Sequence, residues 1–143
     1  MKKILLSSLL AALLVPTITK PLEDKTTYWI LAGLFGATTV ISFKTTAKHL
    51  SDAMKLTTVI MTKKFQTNGL PPELQKPIGR INFAIQVKQI PEILTSLDLS
   101  QDITDDKLNE KRTQSSIAMI QYGIIGATFF GAACYCGINA YNQ

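Results

Sequence analysis

Charged residues are absent from three stretches of the chain, 4–19, 26–43 and 113–143, and return at ordinary density between them. Within the last stretch, residues 117–138 (IAMIQYGIIGATFFGAACYCGI) are uncharged and apolar enough to cross a bilayer. As a helix they cover roughly 33 Å, against a bilayer hydrocarbon core of roughly 30 Å. Residues 28–43 (YWILAGLFGATTVISF) make a second candidate span. With Thr26 and Thr27 it reaches roughly 27 Å, which suffices if Lys44 extends its amine to the interface. Tyr28 and Trp29 stand together at one end of this segment, as interfacial aromatic anchors do. Lys44, Lys111 and Arg112 are the expected basic anchors at the opposite interface.

The first stretch has a different character. Lys2 and Lys3 precede an apolar run of about 12 residues, short for a span and suited to a secretory signal. Thr17 and Thr19 supply the small residues ahead of Lys20. Residues 1–19 are therefore expected to be a signal peptide, with an uncleaved anchor as the alternative. Residues 20–27 follow as a short external segment, in which Pro21, Glu23 and Asp24 favour the start of a helix.

Between the spans, Phe43, Ala47, Leu50, Met54, Met61 and Phe65 recur at near-helical spacing, interrupted by Lys44, Lys48, Lys55 and Lys63. This predicts an amphipathic helix continuing the first span, with these apolar residues as its face. Asn68-Gly69 and Pro71-Pro72 stop it. In residues 72–97, Ile78, Ile81 and Ile85 have helical spacing, whereas Phe83, Ile85 and Val87 alternate as in a strand. A helix is preferred, because no partner strands are evident. Pro91 is expected to break it and begin a short turn over 91–97. Residues 97–106 (LDLSQDITDD) form an acidic linker in which Ser100, Asp102 and Thr104 are candidate N-caps. From about Thr104 one long helix is expected to run through Arg112 and across the membrane to Ala140, leaving 139–143 as an external tail.

The expected fold class is thus an all-α membrane protein. It comprises an N-terminal signal or anchor and two transmembrane helices, 28–43 and 117–138, in a hairpin. A helical region, 44–112, joins them.

Charge gives the orientation. Residues 44–88 carry eight basic and two acidic side chains, and 89–112 carry three basic and six acidic. Lys44 and Lys48 follow one span and Lys111 and Arg112 precede the other, so the positive-inside rule puts 44–112 in the cytoplasm. The N-terminal signal demands the same orientation. The expected location is a bacterial-type inner (plasma) membrane, in a multi-pass arrangement. If the two arms of the loop fold back on each other, basic residues meet acidic ones; otherwise both arms are solvated, with lysines reaching anionic lipid.

Composition agrees. The chain has 143 residues, 46% hydrophobic and 17% charged, whereas soluble domains average roughly 25% charged. The net charge of +5 is explained by basic residues flanking the spans, and nucleic acid is not an expected partner.

Catalytic chemistry has little to build on. His49 is the only histidine and lies on a lysine-rich helix. Cys134 and Cys136 project to opposite sides of a helix and read as packing residues. Asp105 and Asp106 are adjacent and do not face each other; a helix N-terminus accounts for them. No zinc ligand set and no phosphate-binding glycine loop is present in the sequence. The chain is expected to be no enzyme and to hold no cofactor or metal. Both spans lack Asp, Glu, Lys, Arg and His, which argues against a transporter acting alone. A water-filled pore would have Thr38, Thr39, Ser42, Gln121 and Thr128 to line it.

The positive signal is small residues at helical spacing: Gly123, Ala127 and Gly131 on one span, and Ala32 and Gly36 with neighbouring Gly33 and Ala37 on the other. Such ridges let membrane helices approach closely. The expected partners are other membrane-protein subunits or further copies of the chain, within a lipid bilayer. The first functional expectation is a non-enzymatic structural or assembly subunit of a larger membrane complex. A self-assembling pore former or pilin-like membrane protein is the second, and a small membrane enzyme or lipid-binding protein the third. The order of signal, span, basic loop and span is similar to that of conjugative pilins, and the resemblance implies self-assembly. That family joins its two hydrophobic helices by a short loop, where this chain has about 70 residues.

Overall fold

The computed structural model describes residues 25–142. The expected signal or anchor, residues 1–19, and the first part of the external segment lie outside the described residues. Those described are all-helical, 89% helix with no strand. Helix α1 (Lys25–Asn68) is followed by a short 3-10 turn (Pro72–Leu74), helix α2 (Pro77–Ser96) and helix α3 (Asp105–Asn142). α1 and α3 are both long and apolar enough to cross a membrane.

The helix ends follow local chemistry. α1 contains no proline and stops where Gly69 takes a left-handed conformation (φ 85°), which a glycine adopts without steric penalty. Pro71 and Pro72 then hold the chain in a turn closed by Leu74 N–H donating to the Pro71 carbonyl at 2.9 Å. Pro77 opens α2 at a position whose N–H would be unpaired in any helix. α2 ends in a doubly bonded C-cap. Leu99 N–H donates to the Leu94 carbonyl (2.9 Å) and Asp98 N–H to the Thr95 carbonyl (3.0 Å), with Asp98 at φ 56°. Of the three candidate caps, Thr104 occupies the position before α3, its carbonyl accepting from Leu108 N–H at 3.0 Å. The Ser100 hydroxyl instead accepts from Asp102 N–H within the preceding turn.

Pro91 does not break α2, contrary to expectation; the helix runs through it to Ser96. The proline removes one bond, to the Val87 carbonyl, and an interior proline costs about 3 kcal/mol. Leu94 is fully buried, and Ile90 and Ile93 pack beside it on the same core. Burial of such side chains contributes about 1.5–3 kcal/mol each, which outweighs the lost bond.

The described residues fall in two compact units, one within Met1–Thr45 and Gln121–Gln143, the other Thr46–Ile120. In the first, Tyr28, Phe35, Phe129, Cys136 and Ala140 form the core, with Leu31, Ala32, Ile125, Ala132 and Ala133 packed around it. The Phe35 and Phe129 rings lie 5.7 Å apart, inclined at 41°.

In the second unit, Leu56 and Val59 of α1, Leu94 of α2 and Leu108 of α3 make the core. The expected apolar face of α1 is therefore corrected. Leu50, Met54 and Met61 are exposed, and the buried positions are Leu56, Val59 and Thr62. Thr62 tolerates burial because its hydroxyl donates to the Thr58 carbonyl at 2.8 Å. Phe65 is half-buried against Phe83 of α2, with ring centroids 6.5 Å apart. Two loop lysines reach neutral acceptors: Lys63 Nζ donates to the Ile103 carbonyl (3.0 Å) and Lys55 Nζ to Ser96 Oγ (3.3 Å).

Candidate functional site

The residues singled out for helix packing occupy two kinds of position in the first unit. Ala32 packs against the core. Gly36 and Gly123 are half-buried, and Gly33, Ala37, Ala127 and Gly131 are exposed. Around Gly33, Gly36 and Gly131 no atom lies within 4 Å of where a Cβ would stand. These small residues thus leave open surface on the outside of the unit.

Gly126 touches the other helix. A Cβ there would lie 3.0 Å from a Phe43 ring carbon and 3.3 Å from Ser42 Cβ. Sequence reasoning passed over Gly126. The signal lay in spacing: Tyr28, Ala32, Phe35, Thr39 and Ser42 alternate steps of four and three, as do Gly126, Phe129, Ala133, Cys136 and Ala140. This is the repeat that keeps one seam of a helix against its neighbour. Its polar members mask it in an apolarity count. Thr39 is buried with its hydroxyl donating to the Phe35 carbonyl at 2.8 Å, and Ser42 is buried as well.

The anchors divide similarly. Trp29 faces outward, whereas Tyr28 is only 2% exposed and belongs to the core. Lys44 and Lys111 are exposed. Arg112 is half-buried and lines a groove of about 420 Å³ with Lys64, Asn109 and Asp105. Cys134 is exposed and Cys136 buried, and both are free thiols.

The outer surface of this unit is apolar. Ile30, Leu34, Val40, Ile41, Ile124, Phe130 and Ile138 are exposed. The most apolar window of α1 is 17% buried and that of α3 11%, unlike the helices of a soluble core. Polar side chains on this surface bond within their own helix: Thr38 to the Leu34 carbonyl, Thr45 to Ile41, Thr128 to Ile124 and Asn139 to Tyr135, at 2.8–2.9 Å. Of the five residues that might line a pore, Thr39 and Ser42 are buried, Thr38 is half-buried, and Gln121 and Thr128 are exposed, so they do not share one face.

His49 is half-buried on α1, and Asp105 and Asp106 stand in the first turn of α3. Among the described residues, no three His, Cys, Asp or Glu side chains converge in a way that could hold a metal ion. What this surface offers is shape: wide aliphatic residues interrupted by small ones, with side-chain hydroxyls turned onto the backbone. Comparison with protein-family models, with curated proteins and with solved structures finds no match to this chain.

Proposed function

We propose that the chain is a two-span membrane protein and serves as a structural or assembly subunit of a larger membrane complex, with no catalytic step of its own. On this reading, helices 28–43 and 117–138 form a membrane hairpin in a bacterial-type inner membrane, and residues 44–112 lie in the cytoplasm. Lys44, Lys48, Lys111 and Arg112 support that orientation through the positive-inside rule.

The outward surface of the first unit carries the reading. An apolar surface of this kind is unfavourable in water by about 25 cal/mol per Å², and lipid or partner helices relieve that cost. Exposed Gly33, Ala37, Ala127 and Gly131 leave room for a partner backbone to come close, where dispersion and weak hydrogen bonds hold membrane helices together.

The test is gentle extraction from the native membrane, a native gel, and identification of the co-migrating proteins. Different proteins in a fixed ratio support the subunit reading and name the complex. A large species containing this chain alone rejects it in favour of a self-assembled pore or fibre.

A further inference from the structure

We propose that Asn68 is a site of spontaneous covalent modification, losing its side-chain amide to become aspartate or isoaspartate. Asparagine is among the thermolabile residues, and its neighbour decides how labile it is. Asn68 closes α1, and Gly69 follows it in a left-handed conformation, φ 85°. Both are exposed. Nothing lies within 4 Å of where a Cβ on Gly69 would stand, so no packed neighbour crowds this peptide. Asn68 is the one asparagine of the chain followed by glycine; Asn82, Asn109, Asn139 and Asn142 precede Phe, Glu, Ala and Gln.

The step is an acyl transfer with water as co-reactant. The Gly69 main-chain nitrogen gives its proton to hydroxide and bonds to Asn68 Cγ, unhindered because glycine carries no side chain. The Cγ–Nδ2 bond breaks, and Nδ2 leaves as ammonia. The resulting imide ring takes up water at either carbonyl. Opening at Cγ restores the main chain and leaves aspartate. Opening at the main-chain carbonyl leaves isoaspartate, with an extra carbon in the chain. Either way an amide and a water become a carboxylate and an ammonium ion, and nothing is oxidised or reduced.

Ring closure requires Asn68 to leave the helical conformation. As the last residue of α1 it does so by fraying the terminal turn, which costs little. Asn82 and Asn109 lie inside α2 and α3, where the same move would open the helix. Asn109 and Asn139 are also tied down: each donates Nδ2 to the carbonyl four residues back, of Asp105 and Tyr135, at 3.0 and 2.8 Å. The Asn68 amide has no such bond among the described residues. Asn142 ends its helix too, but the residue after it carries a side chain. The surroundings of Asn68 suit the charged product. It lines the groove of about 420 Å³ between α1 and α3, where Lys64 and Arg112 outnumber Asp105. A carboxylate at residue 68 balances that charge.

The full-length chain, aged in mild detergent at mildly alkaline pH and digested with trypsin beside an unaged sample, tests the proposal. The peptide from Phe65 to Arg80 should gain the mass difference between an amide and an acid, split into two products on chromatography, and do so faster as pH rises. Peptides carrying Asn82 and Asn109 should stay unchanged over the same interval. Asn68→Gln should abolish the gain, and Gly69→Ala should slow it. An unchanged mass in the parent chain overturns the proposal. So does a gain that appears equally at Asn82 and Asn109, one that survives Asn68→Gln, or one that Gly69→Ala leaves at full rate.

Discussion

Gly79 and Leu74 are in backbone-to-backbone contact. A Cβ on Gly79 would lie 2.6 Å from the Leu74 carbonyl oxygen and 2.8 Å from its Cα. The first turn of α2 thereby packs against the 3-10 turn that precedes it. Alanine is the better helix former by about 1 kcal/mol, but the clash is with main chain, which has no rotamer to escape into. Gly79→Ala should therefore destabilise the protein by about 1–3 kcal/mol, read as a lower midpoint in thermal unfolding. A raised midpoint would show that the turn does not pack there.

Two substitutions on apolar residues should separate the buried positions of the second unit from the expected ones. Leu94→Ala, in the core, should cost about 2–5 kcal/mol in denaturant unfolding. Met61→Ala, on the exposed side of α1, should stay within about 0.5 kcal/mol. Equal costs would mean that the core is wrongly drawn.

Asp98 holds a left-handed conformation at the end of α2, between Leu97 and Leu99. Glycine takes that conformation freely, and a β-branched residue resists it most. Asp98→Gly should stabilise by about 0.5–1 kcal/mol and Asp98→Val should destabilise, measured by the same unfolding transition. The reverse order would remove the C-cap.

Gly126 and Gly131 should behave oppositely. Gly126→Leu drives a side chain into Phe43 and Ser42 and should lower the thermal stability of the chain itself. Gly131→Leu projects into open space and should leave that stability unchanged while reducing the mass of the native assembly. If both act on stability alone, the outer face of α3 is no assembly surface.

The sequence made the long helices legible because charge disappears over a bilayer's length and because Gly69 and Pro71 punctuate the chain. It was less informative about facing. Leu50, Met54 and Ile78 look like core by spacing and size, yet Leu56, Val59 and Leu94 are the residues buried. An apolar period identifies a stripe, but what covers the stripe depends on the angle at which neighbouring helices arrive. Pro91 misled for a related reason: local propensity is overruled where Ile90, Ile93 and Leu94 are held by packing. In the first unit, the small-residue ridges drew attention away from the seam through Thr39, Ser42 and Gly126, because polar side chains within it break the apolar pattern.

The threonines on the outer surface have a consequence for recognition. Thr38, Thr45 and Thr128, with Asn139, each direct a side-chain hydrogen to a carbonyl of their own helix. A hydroxyl has one hydrogen to give, so to any neighbour these threonines present only lone pairs and a methyl group. Their sequence makes the helices look more polar than a surrounding medium would find them. A companion helix gains no hydrogen from these hydroxyls and can meet them only with a donor of its own or with the fit of its contours.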